Sequence, residues 1–264
     1  MRLPGPVLAA AAAAALLAAQ SANVFAQVKD NGPTTLVITY KAPAAHRAEF
    51  RALMEKTGAG RFVQWQREGV FSDFQILFAS YSGQNVGDFD MAVILQFASF
   101  ADTARWREVD RRMPGGLSRA ALALAAPDRT TLAYPVGSGA ASKRDPRRAA
   151  YVLGLYEVVV DAAAYTQYAR GYIEPQLRGW LEEGALTHYA MYQSHPYQSA
   201  AQAPWTFLLV LEYADPVALA ASDAVKNKVR ARLEADAAWK AFSDNKATMR
   251  KAKGFVFADA ITGP

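Results

Sequence analysis

The chain contains no cysteine. That absence excludes disulfides, thiolate metal sites, cysteine nucleophiles and lipoprotein attachment through a lipidated cysteine. Histidine is nearly as scarce: His46, His188 and His195 are the full set. No two of them lie at the two-to-four residue spacing that helical and loop metal sites use, so no zinc site is expected. The sequence also lacks GxSxG, a phosphate-binding loop, a dinucleotide fingerprint, HExxH and the CxxCH of covalent haem attachment. The common hydrolase, nucleotide, metalloprotease and c-type haem readings therefore have no support, and no cofactor is indicated. The glycines of KTGAGRF, Gly58 and Gly60, follow a helical pattern and not a strand, so they read as a helix ending.

Long apolar runs are missing too, with one exception at the N-terminus. Arg2 precedes VLAAAAAAALLAA (Val7 to Ala19), and Val24-Phe25-Ala26 fits a small-residue cleavage pattern. The run is short of the roughly 20 residues that span a bilayer. Residues 1–26 are therefore expected to be a signal peptide, leaving a periplasmic or secreted product that no membrane segment retains. Without disulfides, such a product depends on burial, for which about 240 residues suffice; the composition is 52% hydrophobic. The net charge of +5 is spread among acids, as in VKNKVRARLEAD, so no nucleic-acid partner is expected.

What the sequence does contain is a repeat. FVQWQREGVFSDFQIL from Phe62 aligns with LRGWLEEGALTHYAMY from Leu177, FDMAVILQFA from Phe89 with WTFLLVLEYA from Trp205, and LVITYK from Leu36 with VLGLYE from Val152. Three blocks in one order at an offset of about 115 residues indicate duplication. Between the copies, GSGAASKRDPRR (Gly137 to Arg148) has the composition of a solvated linker. The expected organisation is one unit at 27–136, a linker at 137–148 and a second unit at 149–264.

Each copy runs strand, helix, two strands, helix, strand. Residues 34–41 and 150–160 are β-branched and aromatic; AAHRAEFRALMEKTG and DAAAYTQYARGYIEPQLRGWLEEG have helical spacing, the second broken or kinked at Pro175. The strand pairs are expected at 70–81 with 90–98 and at 185–194 with 205–213, around loops carrying Gly83 and Gly87 or Pro196 and Pro204. The closing strands are RTTLAYPV from Arg129 and GFVFADAI from Gly254. This β-α-β-β-α-β order is the ferredoxin-like arrangement, and two such units on one chain cover each other's bare sheet face. The predicted fold class is α+β, two tandem ferredoxin-like units packed sheet to sheet. The second copy, through YVLGLYEV, WTFLLVLEYAD and EADAAWKAFSDNK before GFVFADAI, resembles the dimeric α/β barrel superfamily. That resemblance implies a pseudo-dimeric α/β barrel. It does not select a chemistry, because the superfamily spans haem enzymes, cofactor-free monooxygenases and isomerases.

Strand alternation sorts the candidate site residues. Asp73, Gln75 and Leu77 share a face, as do His188, Ala190 and Tyr192, and these faces are expected to point between the sheets with Gln96 and Glu212. His188 is the candidate general base, with Glu212 orienting it through a hydrogen bond; the plain alternative is a satisfied, partly buried histidine. Tyr156, Tyr192, Asp73 and Gln96 are the candidate ligand contacts. Trp65 and Trp180 read as ends of the helix–sheet cores, and the other tyrosines of the second copy as a rim with hydroxyls in water. The main reading is a protein that binds a small, largely apolar ligand between its sheets. The alternatives are a cofactor-independent monooxygenase or isomerase using His188, and an interaction module with a filled interior. The second unit supplies the cover that a single-unit relative takes from a partner, so a monomer or weak dimer is expected.

Overall fold

The structure, a computed structural model, describes residues 32–81, 89–195 and 205–263. The expected leader and the loop positions Gly83, Gly87, Pro196 and Pro204 lie outside the described residues. In the first half, β1 (Thr34–Lys41) leads into α1 (Arg47–Leu53) and α2 (Ala59–Arg67), then β2 (Asp73–Ala79), β3 (Met91–Phe97), α3 (Thr103–Arg112), α4 (Arg119–Leu122) and β4 (Ala126–Ala140). The second half repeats the order: β5 (Ala150–Val158), α5 (Ala162–Tyr168), α6 (Glu174–Glu182), β6 (His188–Ser194), β7 (Phe207–Tyr213), α7 (Pro216–Leu233), α8 (Ala237–Asp244), α9 (Lys246–Met249) and β8 (Arg250–Ala260). Among the described residues, no helix is long and apolar enough to cross a membrane.

Local chemistry sets several of these boundaries. The Asp161, Asp215 and Asp236 carboxylates accept hydrogen bonds from the first-turn amides of α5, α7 and α8, satisfying donors that a helix start leaves open. At matched positions after α2 and α6, Gly69 (φ 72°) and Gly184 (φ 76°) adopt the left-handed conformation that ends a helix and that a side chain would strain. Pro175 does not create the break in its helix. A π-helical turn at Ala169–Ile173 precedes it, and the first half has the same turn at Met54–Gly58 with no proline. Pro175 instead occupies the first turn of α6, where its missing N–H costs little. Nor does KTGAGRF end a helix, because α2 resumes at Ala59. A Cβ at Gly58 would meet the Met54 sulfur at 2.5 Å, so the Met54 side chain packs directly over this position.

The eight strands close into one barrel in the order β1-β3-β2-β8-β5-β7-β6-β4. Every pairing is antiparallel, and each half contributes a four-strand run, β4-β1-β3-β2 and β8-β5-β7-β6. The halves do more than stack face to face: their outer strands hydrogen-bond edge to edge, which removes free sheet edges. The two seams are unequal. β4 and β6 pair from Ala133↔Ser194 to Ala140↔His188, whereas β2 and β8 pair only from Leu77↔Ala260 to Ala79↔Ala258. The long seam corrects the expected linker, since Gly137 to Ala140 belong to β4 and only residues after them connect the halves. Glycine there serves close strand contact: a Cβ on Gly139 would lie 2.6 Å from the Tyr189 ring.

Three cores follow from strand alternation. In the first half, Tyr40, Phe50, Phe62, Trp65, Phe78 and Trp106 pack between sheet and helices. Tyr165, Tyr168, Leu177, Trp180, Phe207 and Trp239 do so in the second. Inside the barrel, Leu77, Ile94, Leu153, Tyr192, Leu208 and Val210 fill the space between the two sheets. The expected facial sorting of Leu77, Ala190 and Tyr192 agrees with this interior. The expected rim of tyrosines does not, because Tyr165 and Tyr168 are fully buried and Tyr172 nearly so. The helices of the second half cover more of the sheet than periodicity alone implied.

Candidate functional site

The predicted site residues other than Tyr156 gather at one end of the barrel, though not in the predicted arrangement. Across β6 and β7 His188 stands opposite Glu212, across β5 and β7 Tyr151 stands opposite Glu212, and across β2 and β3 Asp73 stands opposite Gln96. The short β2–β8 seam leaves the first residues of β2 without a neighbour on that side. A pocket of about 280 Å³ opens there, lined by Asp73, Gln96, Arg144, Tyr151, His188 and the chain after Ala260. Tyr192 lies deeper, and the Gln96 amide donates to its hydroxyl at 3.4 Å.

Glu212 has no exposed surface. Arg144 binds its carboxylate with both Nε (2.9 Å) and Nη2, the Tyr151 hydroxyl donates at 2.9 Å, and Thr187 Oγ1 donates at 2.8 Å. Burial works to raise the Glu212 pKa, but these donors hold it below the ordinary carboxylate value. Burial, with the Glu212 charge beside it, pushes the Tyr151 phenol well up. Glu212 is therefore a satisfied structural anion, and the expected hydrogen bond to His188 is not formed. His188 Nδ1 is buried with no partner among the described residues. Burial first, and the Arg144 charge second, depress its pKa to about 4, so the imidazole is neutral near neutral pH. A neutral, unoriented imidazole at a pocket edge can accept a proton or a hydrogen bond, but nothing positions it as a catalytic dyad would.

Tyr156 is a correction. It belongs to the helix-covered core, because Tyr151, Leu153 and Leu155 take the barrel face of β5. There it lines a second and larger pocket, of about 590 Å³, between the sheet of the second half and α6 and α7. Val152, Leu209 and Leu211 form part of its sheet side, and Tyr172, Leu177 and Trp180 part of its helix side. Phe255 and Phe257 also line it and are exposed, at 50% and 41%. The Trp180 indole N–H is buried without an acceptor among the described residues. Lys226, Arg230 and Arg250 add positive charge against one carboxylate, Asp223. An apolar cleft with a few polar groups at its edge has the composition of a small-molecule site.

The comparisons fit this geometry. The chain superposes on a candidate monooxygenase from Lactobacillus acidophilus NCFM with TM-score 0.51 and 8% identity, over 88% of this chain and 95% of that one. It superposes on a candidate monooxygenase from Fusobacterium nucleatum with TM-score 0.52 and 9% identity, over 88% and 93%. The fold is that of the dimeric α/β barrels. No family model matches the sequence, and no curated protein matches it. A haem-binding protein from Thermus thermophilus is also similar, with TM-score 0.46 and 12% identity over 87% of this chain and 91% of that one.

The lining of the larger pocket has no histidine, cysteine or methionine, and its phenols are Tyr156, Tyr172 and Tyr213. Burial raises the pKa of the Tyr156 phenol. Among the described residues, no three His, Asp or Glu side chains converge on a common point as a metal site would require.

Sequence reasoning missed Arg144, Tyr151 and Thr187, the partners of Glu212, and also Lys226, Arg230 and Arg250. Arg144 lies in SKRDPRR, whose composition reads as solvated, and no spacing rule links it to a strand 68 residues later. Arg250 begins β8, four residues before the strand start expected at Gly254. Alternation carried back from Val256 and Ala258 would have placed Arg250 on the barrel face; the register shift opposite Leu155 and Tyr156 turns it to the helix-covered face instead.

Proposed function

We propose that this protein binds a small, largely apolar molecule in the pocket between the second half's sheet and its helices. The observation that carries the reading is the 590 Å³ cleft itself, aromatic-lined and bordered by exposed phenylalanines, in a protein whose barrel interior is filled by side chains. The ligand space expected between the sheets is thus replaced by one behind the sheet. Two tandem ferredoxin-like copies of one ancestral unit account for the matched strand orders and for the matched π-helical turns. The first copy closes the barrel and the second holds the ligand. In this reading the leader is removed, the protein acts in the periplasm or outside the cell, and it is a monomer, because its own two halves close the barrel on each other.

The test is titration with the neutral fluorophore N-phenyl-1-naphthylamine. Saturable binding of one equivalent is expected, and Asn227→Trp, an exposed change at the pocket's edge, should abolish it without loss of thermal stability. Absence of binding to the native protein, or binding unaffected by Asn227→Trp, refutes the assignment.

A second reading rests on His188. A neutral imidazole with a free buried nitrogen, beside Asp73 and Gln96 in the barrel-end pocket, is suited to proton abstraction in a cofactor-independent oxygenase or isomerase. If substrate turnover is found, it should vanish in His188→Ala and follow a pH profile with an inflection well below that of a free histidine.

A further inference from the structure

Of the three cations around the larger pocket, two are already engaged. Lys226 pairs with Asp223 at 3.2 Å, and Arg230 donates to the Gln176 side-chain oxygen at 3.2 Å. Arg250 differs from both. Its guanidinium lies over the Tyr156 ring at 4.0 Å and near the Tyr168 ring at 5.8 Å, and Nη1 donates to the Tyr165 hydroxyl at 3.4 Å. Among the described residues the groups acting on it are phenols, and no carboxylate pairs with it. The stacking fixes the plane of the guanidinium and leaves most of its five donors unused. Arg250 is half-buried at the pocket, so its unused donors face water that a ligand anion can displace.

Resting on the pocket reading, we propose that Arg250 is the anion-binding residue of this cleft and that the ligand class is an aromatic carboxylic acid. A planar carboxylate meets a planar guanidinium with two parallel hydrogen bonds, which suits a ligand presenting its acid edge to Arg250. The body of the ligand then lies among the rings of Tyr172, Trp180, Tyr213, Phe255 and Phe257, which favour a flat aromatic body over a flexible chain.

The matched probes 2-naphthoate and 2-naphthamide differ only in the charged group, and decanoate carries the same carboxylate on an aliphatic body. Calorimetry should show 2-naphthoate binding about 10- to 100-fold more tightly than the amide, the range for a hydrogen-bonded charge pair, with decanoate weaker than naphthoate. Arg250→Met keeps an unbranched stem over Tyr156 and should erase the acid preference. Arg250→Lys should retain part of it. N-phenyl-1-naphthylamine binding by each variant shows that its pocket is intact; a variant that loses it is replaced by Arg250→Gln. Equal binding of acid and amide, or a preference that survives Arg250→Met and Arg250→Gln, overturns the role of Arg250 while leaving the pocket reading in place. Tighter binding of decanoate than naphthoate overturns the aromatic class alone, and failure of every probe, neutral fluorophore included, overturns both readings.

Discussion

Replacing Arg144 with Met isolates the contribution of the chain connecting the two halves. The Glu212 carboxylate has no exposed surface, while Arg144 keeps 29% of its side chain exposed. Removing one partner of a buried pair costs about 3–5 kcal/mol, because the remaining charge is left uncompensated. Tyr151 and Thr187 still donate to Glu212, and Arg144 is partly solvated, so the lower end, about 3 kcal/mol at neutral pH, is expected. The penalty should depend on pH in a definite direction. In the native protein the Glu212 pKa is held below the unfolded value, so its contribution is present above the unfolded pKa and lost as pH falls through the folded one. Without the guanidinium, burial dominates and raises that pKa; the folded variant then takes up a proton more readily than the unfolded chain, and its penalty fades as pH falls. Arg144 also helps to depress the His188 pKa, so its loss eases protonation there and narrows the gap further. Urea unfolding followed by tryptophan fluorescence at about pH 7.5 and about pH 4.5, which span the ordinary imidazole value and the range in which a raised Glu212 takes up its proton, measures both differences. Adding Glu212→Gln to Arg144→Met should recover much of the loss at the higher pH. A gap equal at the two pH values, or a double variant no more stable than Arg144→Met, refutes the reasoning.

His188 makes the complementary prediction. With a folded pKa near 4, against about 6.5 unfolded, the unfolded chain binds the proton first, so stability falls as pH drops from about 6.5 to about 4, by roughly 3 kcal/mol in all. NMR titration of the His188 ring should show a neutral imidazole down to about pH 4, and an inflection near 6.5 would contradict its placement. Tyr40→Phe removes a buried hydrogen bond to the Gly115 carbonyl (2.5 Å) and should cost about 1–3 kcal/mol by chemical denaturation, since it leaves that carbonyl unpaired. Phe62→Ala empties the centre of the cluster formed with Trp65, Phe74 and Trp106 and should cost about 3–5 kcal/mol; a change under about 1 kcal/mol would mean that this core collapses without penalty. Analytical ultracentrifugation at micromolar concentration should report a monomer, and a tight dimer would show that a surface other than a strand edge drives association.

The sequence by itself determined the elements and their order. Short β-branched and aromatic runs in LVITYK, VLGLYE, FDMAVILQFA and WTFLLVLEYA, and helical spacing ended by Gly69 and Gly184, are local properties that any chain of this pattern expresses. Alternation also set which strand residues face inward, placing Leu77, Ala190, Gln96 and Glu212 on the barrel side before any tertiary contact was known. Tyr156 follows the same rule, since Tyr151, Leu153 and Leu155 take the barrel face of its strand and leave it on the other. Tertiary structure alone decided who meets whom. Glu212 finds Arg144 through a connection whose charge run looks solvated, and Arg250 finds three tyrosines because β8 starts earlier than its aromatic residues suggest. Likewise, whether the space between the sheets is open depends on the summed volume of Leu153, Tyr192, Leu208 and their neighbours across two halves of the chain. Such sums, and contacts between residues far apart in sequence, have no period, because they arise from closure of the barrel.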